Sequence, residues 1–556
     1  MTLAFLALGF ALFLAAAYRL YGGWIARQFE LDDARVTPAH ERSDGTDFVP
    51  TKRSYLFAQH FSAIAAAGPI AGPILACQLF GWGPCLAWIA FGVVLIGSVH
   101  DFAALMASVR HGGSSIAEIT RGALGTGAGR AIMAFIWIAL IYVIVAFADI
   151  TAGTFVAGSE ELSGSGGFHP GGAVAAASVL YLGLSLLLGL VQRYLKPPLW
   201  LATAIFVPAT FAVCFLGTRL STSFIASQAF WAIAILCYCA VASVLPVWSL
   251  LQPRGYLGGF VLYTALAIGA FGILFGGYGI RQPFFRGWNA GGATGALFPF
   301  LFVTIACGAC SGFHGLVCSG TTSKQIDREG DCRPIGYGAM LCEGLVALVA
   351  LATIMILAPE ETEGLAPGTI YGNGLGGFLA KLLGPRHLPF AITFGAMAFS
   401  TFVFDTIDVS TRLGRYLLQE LFGWKGVTGA GAATLLTVAP ALYFVLDSGS
   451  GSWQKFWTLF GASNQLLAAL TLLVLTLWLK RSGRPALFTL LPTLFVSVIT
   501  IWALAMIGWR SLGAANGLDV AFWNGASALT LLALAGYLFF AATRRSFKRS
   551  EIPEGL

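Results

Sequence analysis

The chain has 556 residues, of which 57% are hydrophobic and only 10% are charged, and its formal net charge is +7. Soluble domains carry about 25% charged residues, so this composition excludes a soluble enzyme and a soluble binding domain. It indicates a protein that crosses the membrane many times, in which a positive charge is no sign of nucleic-acid binding. We expect the lipid bilayer, and no nucleic acid, as a partner.

Apolar runs of about 20 residues are long enough to cross the bilayer as helices, and about fifteen such runs predict an all-α polytopic membrane protein. In chain order they form a first transmembrane helix at 1–26, a polar segment at 27–55, a core at 56–411, further helices at 427–543 and a basic tail at 544–556. The first helix lacks a small-residue cleavage site, which favours a retained helix over a signal peptide.

Lys and Arg in short loops indicate the orientation, because such loops stay on the inner side of the membrane. With the N-terminus outside, most of the 32 Lys and Arg residues fall in inside loops. We therefore predict an N-terminus outside and a C-terminus inside. The inside segment 27–55 carries both charge signs, and we expect a solvated loop there, with a gate as the alternative.

The stretch AAAGPIAGPILACQLFGWGP, residues 65–84, does not fit a helix that only crosses lipid. Gly68, Pro69, Gly72 and Pro73 lie in the first half of an apolar run. Proline removes a backbone donor and clashes with the preceding turn, and hydrocarbon offers no partner for freed backbone groups. We predict an interrupted helix at these two Gly-Pro pairs; close helix packing is the alternative explanation for the glycines.

A second interruption is predicted at Pro246, within the apolar run 228–251. The runs of 56–217 and of 228–411 form two sets of five, which enter the membrane in opposite directions. Interrupted helices at matching positions in inverted repeats indicate a transport site near the bilayer midplane. The arrangement resembles the five-plus-five core of leucine-transporter-like proteins, with extra N- and C-terminal helices.

The eighth core run, 294–319, leads into the polar stretch IACGACSGFHGLVCSGTTSKQ. The candidates for substrate binding are the two Gly-Pro pairs together with Ser311, Gly312 and His314. The hydroxyl groups that suit a coupling ion belong to Ser319, Thr321 and Thr322. Zinc sites usually combine two separated ligand pairs, so we expect no metal at the cysteines and the histidine of this stretch, and the mostly apolar setting of the cysteines predicts no disulfide.

An interrupted helix offers two kinds of binding group. The N-terminus of a half-helix presents unpaired N–H groups and a partial positive charge, which suit a carboxylate. The C-terminus of the preceding half-helix presents carbonyl groups that suit a cation. The interruption therefore fits a small organic acid or the carboxy end of a peptide.

Charged residues inside spans are costly and usually functional. In FDTIDVSTRLGRYLLQEL, residues 404–421, the carboxylates of Asp405 and Asp408 are followed at helical spacing by Arg412 and Arg415. For Arg415 we favour salt bridges along one helix, whereas the deeper Asp405 is also a candidate for proton coupling. The remaining candidates for coupling are His60, Asp101 and Asp408.

The chain resembles the carbon starvation protein A family. The resemblance rests on DGTDFVPTKRSYLFAQHFSAIAAAGPIAGPILACQLFG (44–81), GSVHDFAALMASVRHGGSSIAEI (97–119), ACGACSGFHGLVCSGTTSKQI (306–326), IGYGAMLCEG (335–344), FDTIDVSTRLGRYLLQEL (404–421) and FGASNQLLAALTL (460–472). It implies a secondary transporter of the bacterial inner membrane with the core at 56–411, a periplasmic N-terminus and a cytoplasmic C-terminus. Members are described as peptide transporters and as pyruvate transporters driven by the proton gradient, induced when carbon is scarce.

The leading hypothesis is proton-coupled uptake of a small carboxylate, with pyruvate as the first candidate. Peptide uptake is the alternative, and a substrate sensor that acts with a partner is the second alternative. No nucleophile–base pair or phosphate loop points to an enzyme. We expect no cofactor, with the proton as the coupling ion and sodium as the alternative.

Overall fold

The structure, a computed structural model, describes residues 2–44, 47–158, 168–246, 248–291, 295–448 and 453–547. These residues form mostly α-helices, with short 3-10 and π-helical turns between some of them. Two isolated β-bridges also pair residues of the connecting segments. The helices of eight or more residues are α1 (Leu3–Arg19), α2 (Tyr21–Phe29), α3 (Arg53–Ile64), α4 (Gly68–Phe80), α5 (Trp82–Gly92), α6 (Ser98–Arg110), α7 (Ile116–Leu124), α8 (Thr126–Val156), α9 (Pro170–Tyr194), α10 (Leu199–Arg219), α11 (Gln228–Val244), α12 (Leu251–Phe275), α13 (Leu297–Thr304), α14 (Gly312–Gly320), α15 (Ala339–Met355), α16 (Pro367–Leu383), α17 (Leu388–Phe422), α18 (Gly426–Ser448), α19 (Trp453–Arg481), α20 (Leu487–Gly513) and α21 (Val520–Phe547).

Within the described part of the chain, twelve helical segments are long and apolar enough to cross a membrane, or thirteen if the bent pair α3–α4 counts as one span. The predicted all-α membrane architecture is confirmed, but the predicted count of about fifteen spans is not confirmed. One difference is α11, which has only 17 residues. Another is the apolar run 294–319, which the structure divides between α13 and α14. Hydropathy measures apolar composition and does not register where a helix ends.

The first interruption separates α3 from α4. The first helix ends at Ile64, the second begins at Gly68, and the two are bent by 43°. Pro69 lies in the first turn of α4, where a missing N–H removes no intrahelical bond. The predicted interruption at the first Gly-Pro pair is confirmed. Pro73 lies inside α4, so the helix is not broken again at the second pair.

The second interruption occupies residues 305–311, between α13 and α14. It does not lie at Pro246, because α11 already ends at Val244 and Pro246 belongs to the connection towards α12. Leu245 has extended backbone with ψ 150°, as expected of a residue that precedes proline. The prediction of a break inside the span 228–251 is therefore wrong, and the division of the core into two repeats stays a prediction.

The most deeply buried of the twelve spans contain α17 and α19, followed equally by the spans that contain α5 and α6, α8, and α15, whereas the span of α10 is the most exposed. Both membrane segments that follow the interruptions contain a π-helical turn, at Val93–Gly97 before α6 and at Arg333–Gly338 before α15. The second of these turns packs directly on α6, since a Cβ added at Gly336 would lie 2.8 Å from Cα of Phe102. The helices after the two interruptions are therefore neighbours.

The polar segment between α2 and α3 is packed against the loop that follows α14. We call residues 30–44 and 47–52 the strap. Thr51 forms a β-bridge with Ile326, and the Thr37 hydroxyl donates to the Ile326 carbonyl at 2.6 Å. The carboxylate of Glu329, which is fully buried, accepts hydrogen bonds from Arg110 and from Arg35 of the strap. Most of the described residues of the strap are nevertheless exposed, as expected of a solvated loop, and the buried ones are Thr37, Pro38 and Ala39.

Candidate functional site

The two interruptions lie directly against each other. A Cβ added at Gly72 would lie 2.7 Å from the carbonyl oxygen of Thr304, the last residue of α13. A Cβ added at Gly68 would lie 2.6 Å from Cβ of Cys307. Small residues allow backbones inside a membrane to approach closely. At these two positions glycine is therefore required by the crossing of the interrupted segments.

The carbonyl groups at the end of α13 are held by side chains. Buried helix ends need such partners because lipid supplies none. The donors are Trp88 Nε1 to Ile305 at 3.0 Å, Trp457 Nε1 to Thr304 at 3.0 Å and Gln465 Nε2 to Phe302 at 2.9 Å. A cation at this helix end would have to compete with three N–H groups, so these carbonyls serve the fold.

Asn464 of α19 fixes the start of α14. Its Oδ1 accepts a hydrogen bond from the backbone N–H of Phe313 at 3.0 Å. Its Nδ2 donates to Oγ of Ser311 at 3.1 Å and lies 3.3 Å from Sγ of Cys307. Sequence reasoning missed this residue as part of the site, although it lies in the quoted motif at 460–472. The second interruption is thus held by a neighbouring helix as well as by its own turns.

A small cavity of about 20 Å³ lies where the interruptions cross, which is space for about one water molecule. Both α4 and α14 begin at this cavity: Gly68 and Pro69 line it from the first helix, and Ser311 and Phe313 from the second. The N-terminal end of a helix carries a partial positive charge. Two such ends meet here, which suits an anion. The other lining residues are Ile64, Ala66, Val143, Phe147, Cys307, His314, Thr406 and Phe460.

His314 joins the cavity to two buried carboxylates. Its Nδ1 lies 2.9 Å from Oδ2 of Asp101 on α6, and its Nε2 lies 3.3 Å from Oε2 of Glu343 on α15. The Oδ1 atom of the same aspartate lies 2.7 Å from Nδ1 of His100. All four side chains are at most 1% exposed. We call these four residues the His314 cluster.

The His314 cluster has no fixed cation in its described ion pairs, which join only its own carboxylates and histidines. Neither oxygen of Glu343 has a hydrogen-bond partner in the described part of the chain. Burial of an ionised carboxylate without a cation costs several kcal/mol. Protons must therefore balance part of the charge.

Two of the predicted residues, Asp101 and His314, meet in this cluster. Sequence reasoning missed Glu343, although an acid in the middle of an apolar run is itself a signal for a functional residue. It lies in the motif IGYGAMLCEG at 335–344, which also carries part of the family resemblance.

The other hydroxyl candidates do not form one ion site. The Ser319 hydroxyl donates to the backbone of its own helix at 2.7 Å and accepts a hydrogen bond from Ile116 N. The exposed Thr321 also bonds to its own helix. The Thr322 hydroxyl lies 2.9 Å from Nδ1 of His60. The structure therefore spreads these groups over different contacts, and His60 joins α3 to the loop after α14.

Asp405 and Asp408 do not pair with the arginines that follow them on α17. Both contact Arg254 of α12, which is fully buried. Arg412 instead donates to two carbonyl groups at the end of α11, and Arg415 lies over an aromatic ring. The predicted row of salt bridges along one helix is wrong, because a neighbouring helix supplies the guanidinium.

Comparison with known proteins identifies the family. The sequence model described as carbon starvation protein CstA matches residues 1–373 and 363–503. A peptide transporter CstA of Helicobacter pylori strain J99 is 32% identical over 87% of this chain and 79% of its own. The pyruvate/proton symporter BtsT of Escherichia coli K12 is 30% identical over 88% of this chain and 79% of its own.

Among solved structures, a variant of the manganese transporter of Eremococcus coleocola aligns with 90% of this chain and 99% of its own, at 14% identity and a TM-score of 0.46. The resemblance seen in the sequence is confirmed by the family match and by the relatives. The chain crosses the membrane many times and belongs to the carbon starvation protein CstA family of membrane transporters.

Proposed function

We propose that the protein takes up a small carboxylate, with pyruvate as the first candidate, by proton symport across the bacterial inner membrane. The observation that carries the proposal is the meeting of two helix N-termini and His314 at one cavity. In this role the protein is a transporter and not an enzyme, with its N-terminus in the periplasm and its C-terminus in the cytoplasm.

The helix ends supply the anion site. The first N–H groups of a helix have no partner within it. At the start of α4, Pro69 has no N–H and the Ile70 N–H donates to the Ala67 carbonyl, which leaves the Gly68 N–H to face an anion. At the start of α14, Asn464 binds the N–H of Phe313. Each helix end stabilises a nearby negative charge by about 0.3–1 kcal/mol when exposed and by up to about 2 kcal/mol when partly buried. A carboxylate between the two ends gains from both. The cavity of about 20 Å³ is smaller than such a substrate, so the interrupted segments must part to admit it.

His314 couples substrate to proton because it belongs to both sites. It lines the cavity, and its ring nitrogens face Asp101 and Glu343. A bound carboxylate attracts a proton to this imidazole, since opposite charges stabilise each other strongly in a medium of low dielectric. By linkage, a protonated imidazole in turn strengthens carboxylate binding. Substrate and proton then bind together, as symport requires.

Peptide uptake is the second candidate, because several relatives are named peptide transporters. A peptide also carries an ammonium group, which needs an acceptor. None of the described lining residues of the cavity is acidic. Asp405 directly precedes the lining residue Thr406 on α17, but its carboxylate is bound to Arg254. The lining therefore favours an anion over a zwitterion.

Substrate exchange tests the proposal without a driving force. Purified protein is placed in liposomes loaded with unlabelled pyruvate, and entry of labelled pyruvate is followed with and without dipeptide competitors. We expect exchange that dipeptides do not reduce. Exchange of labelled dipeptide, with none for pyruvate, would assign the protein to peptide uptake. Exchange of neither would favour a substrate sensor.

A further inference from the structure

A second buried group of charged side chains lies between α11, α12 and α17. We call Arg254, Asp405, Asp408 and Tyr238 the Arg254 cluster. Nε of Arg254 donates to Oδ1 of Asp405 at 2.8 Å, and Nη1 contacts the carboxylate of Asp408. The Tyr238 hydroxyl donates to Oδ2 of Asp408 at 2.7 Å. The proposed transport mechanism makes no use of these four residues.

The Arg254 cluster contains two carboxylates and one guanidinium, so its charges do not balance. In the described part of the chain, the groups that face it from neighbouring helices are Tyr181 on α9, whose hydroxyl donates to the Arg254 carbonyl, and Tyr238 and Cys239 on α11, and none of them is a second cation. The arginines further along α17 bind elsewhere. An uncompensated buried charge is strongly unfavourable, and one proton would remove the excess.

One atom of the cluster lacks the partner that an ionised carboxylate requires. Oδ1 of Asp408 is buried and has no nitrogen or oxygen hydrogen-bond partner in the described part of the chain; the group beside this carboxylate is the Cys239 thiol, a weak donor. The two carboxylates also differ in accessibility: the Asp405 side chain is 25% exposed, whereas Asp408 is 3% exposed and Arg254 is fully buried. A proton can therefore reach the cluster through Asp405 and remain with the pair.

We propose that the Arg254 cluster is a second proton-binding site, in which Asp405 and Asp408 share one exchangeable proton and Arg254 is the fixed counter-charge. When a proton adds to a carboxylate oxygen of Asp405, the ion pair with Arg254 is lost. Arg254 and Asp408 then remain as a balanced pair. When the proton leaves through the exposed side of Asp405, the second ion pair forms again.

This site is placed to act on the first interruption. α12, which carries Arg254, also packs on α3: the rings of Tyr263 and Phe61 lie 6.1 Å apart, and a Cβ added at Gly259 would lie 3.7 Å from Oγ of Ser62. α17 contributes Thr406 to the cavity wall. Protonation of Asp405 therefore loosens the contact between α17, which borders the cavity, and α12, which packs on α3. The role in uptake rests on the proposed function, whereas proton binding does not.

Infrared spectroscopy of the purified protein in lipid nanodiscs tests proton binding without substrate. The carbonyl stretch of protonated carboxylic acids is recorded while the pH is varied from about 5 to about 9, a range in which ordinary Asp and Glu side chains are ionised at almost every point. We expect a pH-dependent band that is reduced in Asp405→Asn and in Asp408→Asn. The matched control Glu361→Gln, which removes a carboxylate from an exposed pair with Arg281, keeps that band.

Two results would overturn the proposal. A wild-type spectrum without a pH-dependent carboxylic acid band would show that no buried carboxyl group titrates, and this result needs no variant. A band that persists unchanged in both the Asp405 and the Asp408 variants would belong to other acids, such as those of the His314 cluster. A variant that does not fold leaves the wild-type criterion and the other variant in place.

Transport assays separate this inference from the proposed function. We expect Asp405→Asn to exchange substrate at the wild-type rate within about twofold, yet to lose most of the accumulation that a proton gradient drives, because exchange needs no net proton movement. If Asp405→Asn accumulates substrate as wild type does, a role of the cluster in coupling is excluded. If wild type exchanges no pyruvate, the substrate proposal fails and the infrared result still decides proton binding.

Discussion

The Nδ1 atom of His314 lies 2.9 Å from Oδ2 of Asp101, and both side chains are buried within the helical bundle. The histidine comes from the half-helix that follows the second interruption, whereas the aspartate comes from the membrane segment that follows the first. The same imidazole lines the cavity where the interruptions cross. The proposed substrate site and the proposed proton site therefore share one residue.

Replacement of that residue tests the link. His314→Gln keeps a polar side chain but cannot bind a proton, so we expect proton-driven uptake to fall by at least about tenfold, equivalent to about 1.4 kcal/mol. The measurement is initial uptake into proteoliposomes with an inward proton gradient. The matched control is His387→Gln, in the short turn before α17 and outside the His314 cluster. We expect this variant to keep wild-type uptake. Normal proton-driven uptake in His314→Gln would contradict the account.

Glu343 is the buried acid that sequence reasoning did not identify as part of the site. Glu343→Gln preserves the size of the side chain and removes the carboxylate that faces His314 Nε2 at 3.3 Å. Wild-type uptake rises as the outside pH falls if a proton is a co-substrate, and we expect this dependence to be markedly flatter in the variant. Uptake rates are compared across the outside pH range. Glu360→Gln, at an exposed position, serves as the control, and an unchanged pH profile in Glu343→Gln would count against a coupling role.

Gly72 tests the crossing of the interruptions. A Cβ added at this position would lie 2.7 Å from the Thr304 carbonyl oxygen, and overpacking typically costs about 1–3 kcal/mol. We expect Gly72→Leu to insert into the membrane and to lose transport. Gly9→Leu is the same change on α1 at a position with no heavy atom within 4 Å of the added Cβ, and we expect it to be silent. Wild-type exchange in Gly72→Leu would refute the binding role of this interruption.

The ion pairs of Glu329 with Arg35 of the strap and with Arg110 are expected to stabilise the fold. Glu329 is fully buried and bound by two arginines, whereas Glu361 forms an exposed pair with Arg281. Loss of one partner of a buried pair costs about 3–5 kcal/mol, and exposed pairs contribute about 0–1 kcal/mol. Thermal unfolding of detergent-solubilised protein is expected to shift to a clearly lower Tm in Glu329→Gln and hardly at all in Glu361→Gln. Equal Tm values in the two variants would show that the ion pairs of Glu329 do not stabilise the protein.

The membrane class, the family and the first interruption could be predicted from sequence because each leaves a local signal. Composition excludes a soluble protein, long motifs carry the family, and the proline after Gly68 marks a helix start. The break at Pro246 was placed wrongly, since a proline in an apolar run can also mark the end of a helix. The second interruption lies in the stretch IACGACS at 305–311, which contains one glycine and no proline, so the sequence gives no clear signal of a helix end there.

The partners of buried charges could not be predicted in the same way. Spacing along α17 indicated salt bridges with Arg412 and Arg415, but the guanidinium that binds Asp405 comes from a residue 151 positions earlier in the chain. Asp101 and His314 are likewise 213 positions apart. Such pairs depend on how helices pack, and one sequence carries no direct record of that packing.

The most direct test of the central claim is accumulation of labelled pyruvate in proteoliposomes under an imposed inward proton gradient. If the protein is a proton symporter, we expect accumulation above the outside concentration. A proton ionophore abolishes this accumulation, and an inward sodium gradient alone does not produce it. Entry that stops at the outside concentration under a proton gradient, or accumulation that follows sodium instead, would contradict proton symport of a small carboxylate.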